Sequence, residues 1–168
     1  MTTASINYSG STIITCGTAS VGTSSTFISG RESTQIDNTT NLYVDALIEG
    51  FVTVGTGPTT NTEIRVYVWG SQVSLGTTAK DTLDGTDSAE TLSSAGVRDS
   101  FLVRAATMRV DSTTSNRTYN FGPFSLTQIF GDVPPYWGLF ITHNTGVNLN
   151  ATAGNHEYRY TGIKFDSE

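Results

Sequence analysis

The sequence predicts an all-β protein, a two-sheet antiparallel β-sandwich of jelly-roll-like type with one short helix. Three observations predict it. Thr, Ser and Gly supply 64 of the 168 residues, while Asp, Glu, Lys and Arg together reach only 14%. Threonine favours strands, glycine favours turns, and the residues that usually build surface helices are scarce. Several segments alternate apolar and polar residues with a period of two, and clusters of Gly, Pro, Asn, Asp and Ser separate them. The expected content is at least about 40% strand and under about 10% helix. A chain of this length can bury roughly two thirds of its unfolded surface in one domain. The single cysteine, Cys16, excludes an internal disulfide and reads as a small half-buried hydrophobe after Ile13 and Ile14.

Residues 1–11 read as an exposed N-terminal arm carrying Ile6 and Tyr8, and residues 12–168 as a single sandwich domain. Short apolar islands at 12–15 and 26–29 predict short strands, and 38–41 a turn. The organising stretch is 41–70, which reads as a long β-hairpin. In its second arm Ile64, Val66 and Val68 alternate with Arg65, Tyr67 and Trp69. In its first, Leu42, Val44, Ala46 and Ile48 share a face until Gly50 breaks the pattern, as a bulge or bend would. An isolated ribbon is marginal in water, so the rest of the chain must supply a second layer.

From 71 to 99 large apolar residues are sparse and turn formers dense, which predicts a long loop with one short strand near 72–75. Loops of this length are more often functional or interface segments. A strand at 100–110, a turn at 111–116 and a strand at 117–121 read as a second hairpin. Leu126, Ile129 and Phe130 have helical spacing, with Ser125 as N-cap and Gly131 as stop. The near-continuous apolar run 136–142 reads as a strand buried on both sides, and 157–165 as the last strand. No period of 20 to 50 residues repeats. An immunoglobulin-like sandwich is the alternative, but the Cys-Trp-Cys pattern is absent.

The net charge of −6 argues against nucleic acid or an anionic membrane as partner. No apolar run approaches the ~18 residues that span a bilayer, and no leader pattern opens the chain, so it is expected to be made and used without crossing a membrane. Asp81, Asp84, Asp87 and Glu90 are wrongly spaced for an EF-hand and read as a solvated loop. His143 and His156 make at most an incomplete zinc site even with Glu157. Asp45, Glu49 and Glu63 are a weak candidate for a glycosidase carboxylate pair, with nothing in the sequence to supply a cleft. No nucleophile elbow, phosphate-binding loop or H-E-x-x-H motif is present. The expectation is a non-enzyme without cofactor or metal. Tyr43, Tyr67 and Trp69 read either as an aromatic row able to stack sugars or a protein partner, or as the second covered face of a central sheet.

The segments GRES at 30–33, DNTTNLY at 37–43, DGTDSAET at 84–91, RTYNFGP at 117–123 and PPYWGLFITHNTG at 134–146 resemble small virion proteins of tailed bacteriophages. Those are the proteins thought to act as capsid decoration, or cement, proteins. The resemblance implies a jelly-roll, assembled in the host cytoplasm, that binds the outer surface of the virion with the major capsid protein as partner. It also implies a homo-oligomer, often a trimer at local threefold positions. It carries over no functional residue. The candidate contacts are therefore Ile6 and Tyr8 of the arm, the 71–99 loop, and Tyr43, Tyr67 and Trp69. The acidity implies a neutral or basic receiving surface, and binding that weakens with salt if rim charges matter. The alternative function is a carbohydrate-binding module of a phage fibre or tail component that uses the three aromatics.

Overall fold

A computed structural model describes residues 4–167, with 46% of the chain in strands and 12% in helix. In chain order the elements are β1 (Ala4–Tyr8), β2 (Thr12–Ile13), β3 (Ser29–Glu32), β4 (Ile36–Asp37), α1 (Asn38–Asn41), β5 (Asp45–Thr53), β6 (Thr62–Ser71) and β7 (Ala89–Thr91). They continue as α2 (Ala95–Phe101), β8 (Leu102–Val110), β9 (Thr118–Ser125), α3 (Leu126–Phe130), β10 (Tyr136–His143) and β11 (His156–Ser167). One sheet runs β1-β11-β5-β9, with β2 also on β11; the other runs β7-β3-β10-β6-β8, with β4 also on β10. Every pairing is antiparallel.

Taking β1 with β2 and β3 with β4 as single lanes and setting β7 aside, the lanes in chain order are assigned 1-8-3-6 to one sheet and 2-7-4-5 to the other. This is the double Greek key of a jelly-roll. The sandwich read from the sequence is therefore present, but both expected hairpins are not. β5 pairs with β11 and β9, never with β6, and β8 pairs with β6 while β9 lies in the opposite sheet. The connections 54–61 and 111–117 are corners between layers. Alternation identifies each strand, and it is silent on which layer holds the partner.

The core between the sheets takes Ala46, Ile48 and Val52 from β5, Ile64, Val66 and Val68 from β6, Trp137, Leu139 and Ile141 from β10, and Tyr158 and Tyr160 from β11. The expected irregularity at Gly50 falls at a register shift between β5 and β9. The extra residue belongs to β9, at Gly122–Pro123, so β5 keeps its alternation. The helix at α3 is as expected, with Ser125 Oγ accepting from Gln128 N and Gly131 left-handed at φ 81°. Two further short helices, α1 and α2, raise the helix content beyond the expectation.

The segment from 72 to 101 is a cover rather than a free loop. Leu75, Leu83 and Leu92 are at most 1% exposed and pack on Tyr67, Trp69, Leu102 and Phe140, forming a second core on the outer face of the β10–β6 sheet. Polar tethers hold it. Buried Glu32 accepts N–H groups from Asp84 and Gly85, both at 3.0 Å, and Lys80 Nζ donates to the Gly70 carbonyl at 2.6 Å. The Arg98 guanidinium of α2 donates to the Thr26 carbonyl at 2.7 Å.

Candidate functional site

The acidic run of the covering segment is dispersed by its own hydrogen bonds. Asp81 accepts from Ser93 N at 2.7 Å, Asp84 from Thr86 N at 2.9 Å, Asp87 from Arg31 Nε at 2.6 Å, and Glu90 from Ser88 Oγ at 2.8 Å. Among the described residues no group of three His, Cys, Asp or Glu side chains converges as a metal would need. His143 is buried, with Nε2 at 3.0 Å from the Val21 carbonyl and Nδ1 at 3.0 Å from Thr145 Oγ1. His156 places Nε2 at 2.9 Å from the Asn150 carbonyl. Burial lowers the pKa of both, so both are neutral structural groups.

The three carboxylates at 45, 49 and 63 do not form a pair. Burial pushes Asp45 up, but hydrogen bonds from Thr127 and Ser125 outweigh it and hold the carboxyl below its ordinary value. Asp45 thereby fixes the start of α3, accepting from Thr127 N at 3.0 Å and Ser125 Oγ at 2.7 Å. Glu63 lies in the other sheet and pairs with Arg65 at 2.7 Å. Cys16 is half-buried, and burial, with Asp87 nearby, pushes its thiol well above the ordinary value.

The aromatic row is not a surface. Tyr67 is 3% exposed and Trp69 fully buried under the covering segment, the second of the two readings that the alternation allowed. Tyr43 belongs to the opposite sheet's end, half-buried over Gly162 and edge-on to Tyr160 at 6.2 Å between ring centroids. Neither Tyr67 nor Trp69 can touch a partner in this fold, and the three rings do not form a platform.

Ile6 and Tyr8 are exposed as expected, but they do not hang free. β1 pairs along β11, with Ile6 opposite Phe165 and Tyr8 opposite Ile163. Directly opposed residues share a face, and on β11 the odd positions point away from the core that Tyr158 and Tyr160 enter. Ile13, opposite Arg159, lies on that same outer face. Ile6, Tyr8, Ile13 and Phe165 are each at least 60% exposed, and all four lie on the one bare sheet face.

No protein-family model, curated protein or solved structure matches this chain. The surface must be read from its own chemistry. On the same sheet a groove of about 170 Å³ is lined by Leu47, Glu49, Pro123, Arg159 and Thr161. Arg159 Nε lies 2.5 Å from Glu157 Oε1, and Glu49 adds one further carboxylate to the groove. No helix among the described residues is long and apolar enough to cross a membrane. Sequence reasoning found Ile6 and Tyr8 and missed Ile13 and Phe165. Their signal was available, because Phe165 shares the parity of Arg159 and Thr161, the polar positions of a strand whose even positions carry Tyr158 and Tyr160.

Proposed function

We propose that the protein is a structural virion component that decorates a phage capsid, lying on the major capsid protein with the outer face of its β1-β11-β5-β9 sheet. The observation that carries the reading is the concentration of Ile6, Tyr8, Ile13 and Phe165 on a single uncovered face. Single exposed apolar residues are ordinary on a soluble protein, whereas several together mark a contact surface. The resemblance in the five segments supplies the partner. Of the three rings on which a carbohydrate-binding reading rested, Tyr67 and Trp69 are buried, and the half-buried Tyr43 makes no platform by itself.

The proposed contact differs from one inferred from net acidity. With Glu157 and Arg159 paired and Glu49 the one further carboxylate in the groove, against four exposed apolar side chains, attachment is chiefly apolar and should persist as salt rises. The test is co-sedimentation with cognate capsids that lack the protein, comparing the natural chain with Tyr8→Asp/Phe165→Asp. Saturable binding that the double variant abolishes, and that survives high salt, is the expected result. Equal occupancy by the variant would remove this face from the contact, and absence of binding by the natural chain would remove the capsid as partner.

A further inference from the structure

The sandwich has four sheet edges among the described residues, and three carry features that discourage strand addition. β7 is only three residues long. β8 carries Arg104 and Arg109 and is interrupted by a bulge opposite Val66 and Tyr67. β9 contains Pro123, which has no N–H to donate, at its own bulge. Short edges, charges, prolines and bulges are how sheet proteins avoid pairing with one another. The fourth edge, β1, has none of them. Its sequence ASINY is uncharged and proline-free, all five residues are exposed, and its register with β11 is unbroken from Ala4 to Tyr8.

We infer that β1 docks a second copy of this chain, edge to edge and antiparallel, about a twofold axis at Ile6. The hydrogen-bond phase of the edge fits that pairing. Val44 N donates to the Ile163 carbonyl on the β5 side of β11, and Ser9 N donates to the Gly162 carbonyl on the β1 side. Since N–H and C=O groups alternate in direction along a strand, Asn7 and Ser5 bond β11, and the backbone groups of Ala4, Ile6 and Tyr8 point out of the sheet. Centring the axis on Ile6 opposes Ile6 to Ile6 and Tyr8 to Ala4, so each outward N–H of one copy meets an outward carbonyl of the other.

Side chains agree with the same register. On the apolar face the rows read Phe165, Ile6, Ile6 and Phe165 of the two copies, a continuous stripe across the axis. On the opposite face Asn7 meets Ser5, and the nearest charges, Lys164 and Asp166, fall at opposite ends of each row, so no like charges are opposed. An edge-to-edge ring would have to join β1 to one of the three discouraged edges, the short β7, the charged and bulged β8, or β9 with its Pro123 and bulge. A self-complementary interface closed by a twofold is the remaining solution. The inference stands on the edge alone and is independent of the capsid reading.

Sedimentation equilibrium of the isolated protein over a dilution series tests it, together with two kinds of variant. The natural chain should be a reversible dimer. Ile6→Pro removes an outward N–H and leaves the bonds to β11, so it should be monomeric with an unchanged circular dichroism spectrum. Ile6→Cys should form a disulfide-linked dimer on mild oxidation, because hydrogen-bonded antiparallel partners sit about 5.5 Å apart at Cα. Asn7→Cys, whose equivalent positions do not meet, should not. A natural chain that stays monomeric or is trimeric, a dimer indifferent to Ile6→Pro, or equal cross-linking at 6 and 7 would each overturn the inference.

Discussion

On the outer face of the β10–β6 sheet, Tyr67, Trp69, Leu102 and Phe140 lie beneath Leu75, Leu83 and Leu92 and are at most 5% exposed. On the outer face of the β11–β5 sheet, Ile6, Tyr8, Ile13 and Phe165 are at least 60% exposed. Both faces carry large apolar side chains at alternate positions of their strands. What separates them is the segment between β6 and β8, which returns over one sheet and has no counterpart over the other among the described residues. A jelly-roll needs only its inner faces to fold. Apolar residues on an outer face therefore have two explanations in this molecule, an internal cover on one sheet and, on the other, the contact with another chain that we propose.

If the covered face is a true second core, truncations there should be the most costly in the protein. Trp69→Ala should lose about 3–5 kcal/mol and Leu83→Ala about 2–5 kcal/mol, because each leaves a cavity that the surroundings only partly fill. Urea melts would read both. A cost below about 1 kcal/mol at Trp69 would mean that the covering segment does not hold its place in solution, since changes of that size belong to exposed sites.

An intermediate effect should come from Glu32, the buried group that ties the cover to β3. Burial is the main cause that pushes its pKa up to about 7, from an ordinary 4.5, with Asp84 and Glu90 adding repulsion against the N–H bonds from Asp84 and Gly85. The folded state thus holds a proton on Glu32 at pH values where the unfolded chain has already released it. Stability from this group is full below about pH 4.5 and falls as pH rises toward 7, by on the order of 1–3 kcal/mol. The stability advantage of the natural chain over Glu32→Gln should be greatest near pH 5 and smallest near pH 8, as followed by denaturant melts at each pH. An advantage that grows with pH would show that the N–H bonds to the ionised carboxylate outweigh its burial.

The β class and the sandwich were legible because Ile64, Val66 and Val68 repeat with the period of a pleated strand, and α3 because Ser125 and Gly131 bracket an i, i+3, i+4 pattern. The layer of each strand was not legible. A corner such as 54–61 and a hairpin turn draw on the same Gly, Pro and Asn residues, and only the packed core decides between them. The cover was hidden for another reason. Leu75, Leu83 and Leu92 are spaced by eight and nine residues, so they form no periodic face, and three leucines in a polar background look like a loop. On the bare face, Ile6 and Tyr8 are legible because they interrupt a polar arm, whereas Phe165 is hidden within a last strand that already carries Tyr158, Tyr160 and Ile163.

The smallest effect on stability should come from the bare face, and there the comparison is tested most sharply. Phe165→Ser removes a ring whose chief neighbour is Ile6 across the strand pair, a contact of the kind that contributes about 0.2–1 kcal/mol. In a domain of this size that corresponds to a shift in Tm of at most about 4 °C. Tyr8→Ser, opposite Ile163, should behave alike, and because the two rings are diagonal neighbours on one face beside Ile6 their effects should couple rather than simply add. Scanning calorimetry at low protein concentration separates the alternatives. A small shift means that these rings contribute little to the fold of the free protein and leaves them open to another chain. A loss comparable to Trp69→Ala, present at every concentration, would mean that the face is already covered within the free protein and that the two sides of the sandwich are alike after all.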